Sequence, residues 1–345
     1  MSLARPAAAA DIPALVALAA EPAPGVRTAP VSAAAIERAV ECSIASFASA
    51  ARVRGEETYL FVLESPTDSS VVASAAISAT AGATGPFFAF RNDVIHQVSR
   101  DLDISHSVAA LTLCSNLTDH SQLSGFALRR PHRTEPQAAL LSRARLLFAA
   151  TAPHRFGERF FASLAGVTED DVRSPFWDAL GKKFFKKDFA AAERVTDGTR
   201  NRALIVELMP HYPVYVPLLP ADAQAAMGQV GADSELPFRL LTEEGFTADE
   251  FIDIFDGGPI LCAHRNALRS FSASSICRVA PQVQVAPDAT PDVTSHLICT
   301  MREEQFRAIL LDCVPMPASM VLHLADDARR KLDVTTGDSV RCVKL

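Results

Sequence analysis

The residue types and spacing that most clearly indicate a binding role lie in the stretch HRTEPQAALLSRARLLF, residues 132–148. A basic loop leads into a predicted helix there. Amides at a helix N-terminus bind anions, and a nearby arginine strengthens a phosphate site. Arg133 provides that cation, but Pro136 in the first turn supplies no amide. Thr134 and Gln137 have the spacing of a capping box, whose side chains would occupy the same amides. The pattern therefore predicts a partly closed phosphate cradle.

The charge around this loop favours the opposite conclusion. A basic cluster surrounds it, made up of Arg129, Arg130, His132, Arg133, Arg143 and Arg145. Such a cluster attracts phosphate groups, but it is also typical of a solvated surface or a subunit interface. The residues alone leave open whether this region binds phosphate or forms a contact surface.

Composition argues against several classes of protein. With 33 basic and 40 acidic residues the net charge is −7, which argues against a general nucleic-acid binder. The 7 cysteines are scattered and odd in number, so we expect reduced, mostly buried thiols rather than a disulfide framework or zinc site. The histidines lack metal-ligand spacing, and no metal is expected. No apolar stretch reaches the roughly 20 residues of a membrane helix, so we expect a cytoplasmic protein without membrane contact.

The elements that must position these groups alternate between strand and helix. The chain opens with a strand, a turn and a helix that Asp11 could cap. Apolar patterning predicts further strands at TYLFVLE, VVASAAISA, SQLSGFALRR, RFFASLAGV, RALIVELM and on both sides of the glycines in EFIDIFDGGPILCA. Helices are predicted for SAAAIERAVECSIASFA, for the segment after the basic loop, for SPFWDALGKKFF, and for LPFRLLTEEGF, which ends at Gly245.

A change in composition near residue 279 divides the chain. The segment VAPQVQVAPDATPDV is punctuated by prolines, which is typical of a linker or an edge segment. Short apolar runs follow it, namely HLICTM, FRAILLDCV, MVLHL and SVRCVKL, with TTGD as a turn. We therefore predict a main domain over residues 1–278 and a small β-rich C-terminal subdomain over residues 279–345.

The alternating strands and helices, with a basic strand–loop–helix, resemble the GNAT-type acyl-CoA N-acyltransferase fold, which is of the α/β (α+β) class. FWDALGKKFF is similar to that superfamily's aromatic-Tyr-x-x-Leu-Gly-Phe helix. Many such enzymes hold the pyrophosphate of coenzyme A in an R/Q-x-x-G-x-G/A loop. The resemblance implies a cofactor-binding set of Gly125, Phe126, Arg133, Gln137 and Ala138.

Longer runs are similar to the arginine N-succinyltransferase family. RSPFWDALGKKFFKKDFAAAERV, ELMPHYPVYVPLLPADAQAAMGQV and GFTADEFIDIFDGGPIL carry the similarity downstream, and EETYLFVLE, PFFAFRN and LCSNLTD carry it upstream. The FRN and LCSNLT runs and the glycine-poor loop most resemble the alpha chain of two-subunit members, which implies a beta-subunit partner. The resemblance implies transfer of succinyl from succinyl-CoA to the α-amino group of L-arginine or L-ornithine, with no permanently bound cofactor.

The chain departs from this family at the proton donor. The family has a histidine after GQV, but here residues 228–230 are followed by Gly231. Trp177 stands at the superfamily's tyrosine position, and its indole has no acidity to use. The remaining candidates for catalysis are His211, in MPHYP, and Glu207. A hydrogen-bonded structural histidine is the alternative for His211.

Four residues are candidates for binding the amino-acid substrate. Arg91 and Asn116 lie in family-matching runs and could hold its carboxylate. Asp253 and Asp256 precede the turn Gly257-Gly258 and could bind a guanidinium or relay a proton, although capping of this turn explains Asp256 equally well.

Two functional classes stay open. One is an active acyltransferase whose site is completed by its own fold or across a subunit boundary. The other is a structural or regulatory subunit that supports a catalytic beta chain. The apolar residues Val214, Val216, Leu218 and Leu219 could line the contact with such a partner or could pack inside their own domain.

Overall fold

The computed structural model describes residues 1–21, 32–50, 54–82, 85–169, 173–189, 191–192, 202–281, 294–313 and 320–345. Its strands are β1 Leu3–Pro6, β2 Thr58–Glu64, β3 Val71–Ser78, β4 Ala89–Ser99, β5 Ile104–Cys114, β6 Ser121–Leu128, β7 Arg159–Ser163, β8 Val214–Tyr215, β9 Thr247–Ile252, β10 Pro259–His264, β11 Ser275–Pro281, β12 Thr294–Thr300, β13 Ala308–Cys313, β14 Val321–Leu324 and β15 Ser339–Lys344. Its helices are α1 Ile12–Ala19, α2 Ala33–Ala48, α3 Glu135–Thr151, α4 Pro175–Ala179, α5 Gly181–Phe185, α6 Arg202–Leu208, α7 Ala221–Ala226, α8 Glu235–Glu244, α9 Arg269–Ser272 and α10 Asp326–Leu332.

The described strands form one mixed 15-stranded sheet, in the order β14-β11-β15-β12-β13-β1-β2-β3-β6-β7-β10-β9-β4-β5-β8. Most neighbours are antiparallel, but β11 and β14 are parallel, as are β6 and β7, between which helix α3 makes the crossover. The C-terminal strands continue the same sheet, because β13 pairs with β1 through Ala4 and Ala308. The expected mixed α/β class with a β-rich C-terminal part is confirmed.

Helices cover the two faces of the sheet, and the side chains of β2 show which helix lies on which face. Phe61 and Leu63 belong to the core that packs under α3, whereas Val62 between them packs with Leu15 of α1. This alternation follows from the two-residue period of a strand. Phe148 of α3 anchors its face through an aromatic cluster with Phe47, Tyr59, Phe61, Phe156 and Phe306.

Local sequence signals predicted several helix and strand boundaries correctly. Helix α2 starts where the Ser32 hydroxyl accepts a hydrogen bond from the Ala35 amide at 3.3 Å. Helix α8 ends at Gly245, whose φ of +115° few other residues tolerate. Two strands flank Gly257 and Gly258, as predicted.

The prediction of a strand for RALIVELM is wrong, because residues 202–208 form helix α6. Ile205 and Met209 are buried in one core, whereas Val206 and Glu207 are exposed. A spacing of four between buried residues is that of a helix with one apolar face, and a short apolar run does not distinguish it from a strand. Of the proposed linker, residues 279–281 complete β11, and residues 282–293 lie outside the described part of the chain.

Candidate active site

Strands β6 and β7 part after a short parallel pairing. Only three residue pairs join them, from Ser121 with Phe160 to Leu123 with Ala162. Beyond this point β6 carries a β-bulge, because Gly125 and Phe126 stand opposite the single residue Ala75. Gly125 adopts a φ of +61°, which such a bulge favours in glycine. Beyond Leu123 no register pair joins β6 to β7 in the described part of the chain. We call the stretch where this pairing has ended the opening between β6 and β7, since a strand edge of this kind can take an extended ligand as a further strand would.

The end of β6 leads to the N-terminus of α3, where Thr134 is the N-cap in an extended conformation. The predicted capping box is wrong: the Thr134 hydroxyl makes no capping hydrogen bond, and the Gln137 side chain reaches Ser2 Oγ at 3.5 Å instead. The Ala138 amide donates to the Thr134 carbonyl at 3.0 Å, and Pro136 has no amide. Helix geometry leaves the amides of Glu135 and Gln137 without an intrahelical acceptor.

Carboxylate side chains, rather than helix-capping side chains, occupy the groups of this loop that a phosphate would use. Arg133 Nη1 contacts Asp233 Oδ1 at 2.7 Å, and Arg239 contacts Glu135 at 3.2 Å. Both contacts join the start of α3 to the segment around α8. A phosphate that used Arg133 would have to displace Asp233, whose charge repels it. The phosphate cradle is therefore restricted by Asp233 and by the missing amide of Pro136.

Two members of the basic cluster do not face the loop. Arg143 is buried and binds Glu244 through Nε at 3.1 Å, while its Nη2 reaches Glu243 at 3.3 Å. Arg145 is also buried, and its hydrogen bonds go to Ser142 and to carbonyls of β3 and β6. The expectation of a single phosphate-attracting cluster is wrong for these two, because the helix directs both side chains into the core.

The other wall of the opening is the end of β7, which two buried carboxylates hold. Asp256 accepts hydrogen bonds from the amides of Gly166 and Gly258, at 2.8 and 2.9 Å. Asp253 accepts from the Ser163 hydroxyl at 3.1 Å and from the Phe255 amide at 2.8 Å. Both aspartates are 0% exposed. A substrate could reach either carboxylate only after this loop had opened.

Gly231, at the position of the family's histidine, packs directly on this wall. Its amide donates to the Ala165 carbonyl at 2.9 Å, and the neighbouring Val230 bridges Gly166. A Cβ at residue 231 would lie 2.5 Å from the Gly166 carbonyl oxygen. The main chain therefore occupies the space that the first side-chain carbon would need.

The remaining sequence candidates lie at other places. Trp177 is fully buried, stacks on Phe255 and donates to the Lys187 carbonyl at 2.9 Å, as a core residue does. The Nε2 atom of the exposed His211 lies 2.8 Å from the Val206 carbonyl oxygen. Glu207 of α6 is also exposed. No contact in the described part of the chain joins either of them to the opening between β6 and β7.

Arg91 and Asn116 are brought to the base of the same hairpin, formed by β4 and β5. Arg91 Nε binds Asp93 at 2.8 Å, and this contact lowers the pKa of the Asp93 carboxyl. Asn116 is exposed in the turn after β5. Both side chains are thus accessible to a small ligand, and Arg91 already has a carboxylate partner of the kind that an amino acid offers.

Sequence reasoning missed Asp233 and the role of Arg145. Asp233 carries no local signal, since its partner Arg133 is 100 residues away in the chain. Arg145 did carry a local signal in the sequence, because it lies four residues after Leu141 and so falls on the apolar stripe of α3. A charged residue on an apolar stripe needs a specific set of partners.

Comparison with known proteins identifies the family. The family described as "Arginine N-succinyltransferase beta subunit" matches residues 2–270, and the family described as the C-terminal domain of that beta subunit matches residues 277–344. The chain belongs to the arginine N-succinyltransferase family. Members of this family are acyltransferases of arginine catabolism.

Relatives in the family are similar over the whole chain. The chain is 40% identical to arginine N-succinyltransferase subunit alpha of Pseudomonas aeruginosa, with 100% of both chains covered. It is 34% identical to subunit beta of that species, covering 99% of this chain and 97% of the relative. It is also similar to the solved structure of arginine/ornithine succinyltransferase subunit AI from Pseudomonas aeruginosa, with a TM-score of 0.89, 36% identity and coverage of 100% and 98%.

Membrane spans and metal sites are both absent from the described residues. Among them, no helix is long and apolar enough to cross a membrane. Within the same residues, no group of three or more His, Cys, Asp or Glu side chains is arranged to hold a metal ion.

Proposed function

We propose that this chain is the alpha subunit of an arginine/ornithine N-succinyltransferase, which moves succinyl from succinyl-CoA to the α-amino group of L-arginine or L-ornithine. The observation that carries the proposal is the 40% identity to a subunit alpha over the full chain. The opening between β6 and β7, with a helix N-terminus beside it, supports the proposal, because an extended acyl-CoA would bind along such a strand edge.

The reaction makes simple demands on this site. The neutral amine attacks the thioester carbonyl, so that a C–N bond forms and the C–S bond breaks. The amine gives up a proton, and the departing thiolate takes one. In this proposal the bulge at Gly125 and Phe126 lies against the thioester. The diphosphate accepts hydrogen bonds from the amides of Glu135 and Gln137. Arg133 then binds the diphosphate in place of Asp233.

The substrate would bind at the hairpin base, with its carboxylate on Arg91 and near Asn116. Arg91 can exchange Asp93 for another carboxylate, because the pair is partly exposed. We assign Asp253 and Asp256 to holding the end of β7, since their oxygens already accept hydrogen bonds from Ser163 and from backbone amides. No permanently bound cofactor enters the proposal; succinyl-CoA is a co-substrate.

One observation favours a second candidate function, that of a non-catalytic subunit supporting a catalytic beta chain. Gly231 offers no proton donor, and the main chain leaves no room for one. Leu218 is 80% exposed beside the edge strand β8, whereas Leu219 is buried and Val214 and Val216 pack against their own core. A contact with the beta chain would therefore use Leu218 rather than the whole apolar run. Either role places the chain in the cytoplasm, where we propose that it acts.

The test compares the chain alone, the beta chain alone and the two co-expressed. Release of coenzyme A from succinyl-CoA is followed with arginine or ornithine as acceptor. We expect the isolated alpha chain to turn over about 10²- to 10⁴-fold more slowly than the pair, which is the usual cost of a missing general acid. Full turnover by the isolated chain would remove the second candidate. A pair that transfers no succinyl to either amino acid would refute the proposed function.

A further inference from the structure

A basic cleft of about 440 Å³ lies where the first strands of the sheet meet the C-terminal part of the chain. Strands β1 and β2 contribute Leu3, Arg5 and Glu64 to its lining. The other side is formed by the residue before β13 and by helix α10, namely Arg307, Asp327, Arg330 and Lys331. The reaction described above uses none of these side chains.

The cleft lies on the sheet face opposite helix α3. Leu3 belongs to the core that includes Leu332 of α10, whereas the next residue, Ala4, belongs to the core that packs under α3. Successive residues of a strand point to opposite faces of the sheet, and Leu3 and Arg5 therefore share the α10 face. The cleft is thus separate from the start of α3, where the proposed function places the diphosphate of coenzyme A.

Arg5 already has carboxylate partners. Its Nε binds Glu64 at 2.6 Å, and its Nη1 binds Asp11 at 2.7 Å. Glu64 is therefore engaged by Arg5, which leaves Asp327 as the lining carboxylate that could offset the other cations.

Three cations of the cleft have no such partner. Among the described residues, no carboxylate forms an ion pair with Arg307, Arg330 or Lys331, and Asp327 pairs with none of them. The adjacent Arg329 differs, because it does pair, with Asp326. The C-terminal part of the chain therefore leaves positive charge facing the cleft, although the whole chain has a net charge of −7.

The sheet register adds a further electrostatic cost. Leu3 pairs with Ile309 and Ala4 with Ala308, and continuing this register places Arg307 beside Arg5. Like charges directly opposite each other destabilise a sheet. A bound anion would relieve this repulsion.

Arg307 is also held in place for such a ligand. Its Nη1 donates to the Lys331 carbonyl at 3.0 Å, which fixes the guanidinium against the last turn of α10. A guanidinium has five N–H donors in a planar fork, so several stay available to carboxylate or phosphate oxygens. Charge-assisted hydrogen bonds of this kind are the strong ones.

We propose that this cleft binds a small dianion, of the dicarboxylate or phosphate class, between Arg307, Arg330 and Lys331. Two negative charges match three cations that face the single remaining carboxylate of Asp327. The ligand would join the first strands of the sheet to α10 and so stabilise the C-terminal part of the chain. This site does not depend on the proposed function.

The test uses the full-length chain with succinate and with inorganic phosphate as probes. Calorimetry measures their affinity, and thermal unfolding measures the stabilisation, with sodium chloride at matched ionic strength as the control for screening. Arg307→Gln and Arg330→Gln each remove one cation of the cleft. Arg329→Gln is the matched control, since it removes the same charge from the same helix but does not line the cleft.

We expect at least one probe to bind with a dissociation constant of about 0.1–1 mM and to raise the melting temperature, whereas chloride does not. Arg307→Gln and Arg330→Gln should each weaken that binding about 10-fold, the equivalent of one hydrogen bond to a charged group. Arg329→Gln should stay within about 2-fold. The probe that binds more tightly shows whether the ligand is a dicarboxylate or a phosphate.

Three outcomes overturn the inference. Equal stabilisation by chloride at the same ionic strength, or no binding of either probe, means that the cleft has no specific anion site. Unchanged affinity in Arg330→Gln means that the probe binds elsewhere; this variant decides if Arg307→Gln does not fold, because Arg330 is exposed. An equal loss in Arg329→Gln means that only the overall charge of α10 matters.

An active enzyme that binds neither probe refutes the cleft alone. A chain that binds a probe in the cleft but has no succinyltransferase activity with its partner refutes the proposed function alone.

Discussion

Restoring the family's histidine by Gly231→His should destabilise the protein and should not restore a proton donor. A Cβ at this position lies 2.5 Å from the Gly166 carbonyl oxygen, whereas such atoms normally keep at least 3.0 Å apart. Gly166 cannot retreat, because it is itself packed against the main chain of Asp256 and Gly258. The segment around residue 231 must therefore move away from β7.

The cost follows from two contributions. Overpacking of a tight site costs about 1–3 kcal/mol. Moving residue 231 also strains or breaks the 2.9 Å hydrogen bond from its amide to Ala165, which is worth about 0.5–1.5 kcal/mol. We therefore expect Gly231→His and Gly231→Ala to lower the free energy of unfolding by about 2–4 kcal/mol each.

Urea-induced unfolding measures this loss, with the fluorescence of the single tryptophan, Trp177, and circular dichroism as two probes. Gly55→Ala is the control, because its nearest contact would be the flexible Glu57 carboxylate at 3.4 Å; it should change the stability by less than about 0.5 kcal/mol. A Gly231→Ala variant as stable as the wild type would refute the closed-backbone reasoning. So would a Gly231→His chain that gains turnover on its own.

Four further predictions concern Pro136, Glu244, His120 and Leu218. Pro136→Gly should tighten succinyl-CoA binding about 10-fold in calorimetry, because it adds an amide that can donate to a phosphate; unchanged affinity would exclude that contact. Glu244→Ala should lower the free energy of unfolding by about 3–5 kcal/mol, because Arg143 stays buried without its closer partner. Burial, with the charges of nearby arginines, lowers the pKa of His120, so the unfolded chain binds its proton first. Stability should then fall as the pH drops below about 6.5, and His120→Phe should flatten that slope in pH-dependent unfolding. Leu218→Asp should stay folded but elute as a smaller species in size-exclusion chromatography if Leu218 contacts a partner; unchanged elution of an oligomer would rule out that contact.

Local sequence patterns determined most of the secondary structure. The continuous apolar run of TYLFVLE and the glycine that ends α8 act within a few residues, so they could be interpreted without the fold. The long runs shared with the succinyltransferase family determined the expected activity. The loss of its histidine at Gly231 was also visible in the letters alone.

Only the tertiary structure decided which groups meet at the opening between β6 and β7. Arg133 pairs with Asp233 across 100 residues, and Asp256 binds the Gly166 amide across 90. Thr134 and Gln137 have the spacing of a capping box, yet Ser2, from the other end of the domain, takes the Gln137 side chain. A sequence pattern records which side of an element is apolar, because burial acts residue by residue. It does not record which polar side chain, distant in the sequence, contacts that side of the element. That contact depends on how the strands are ordered in the sheet.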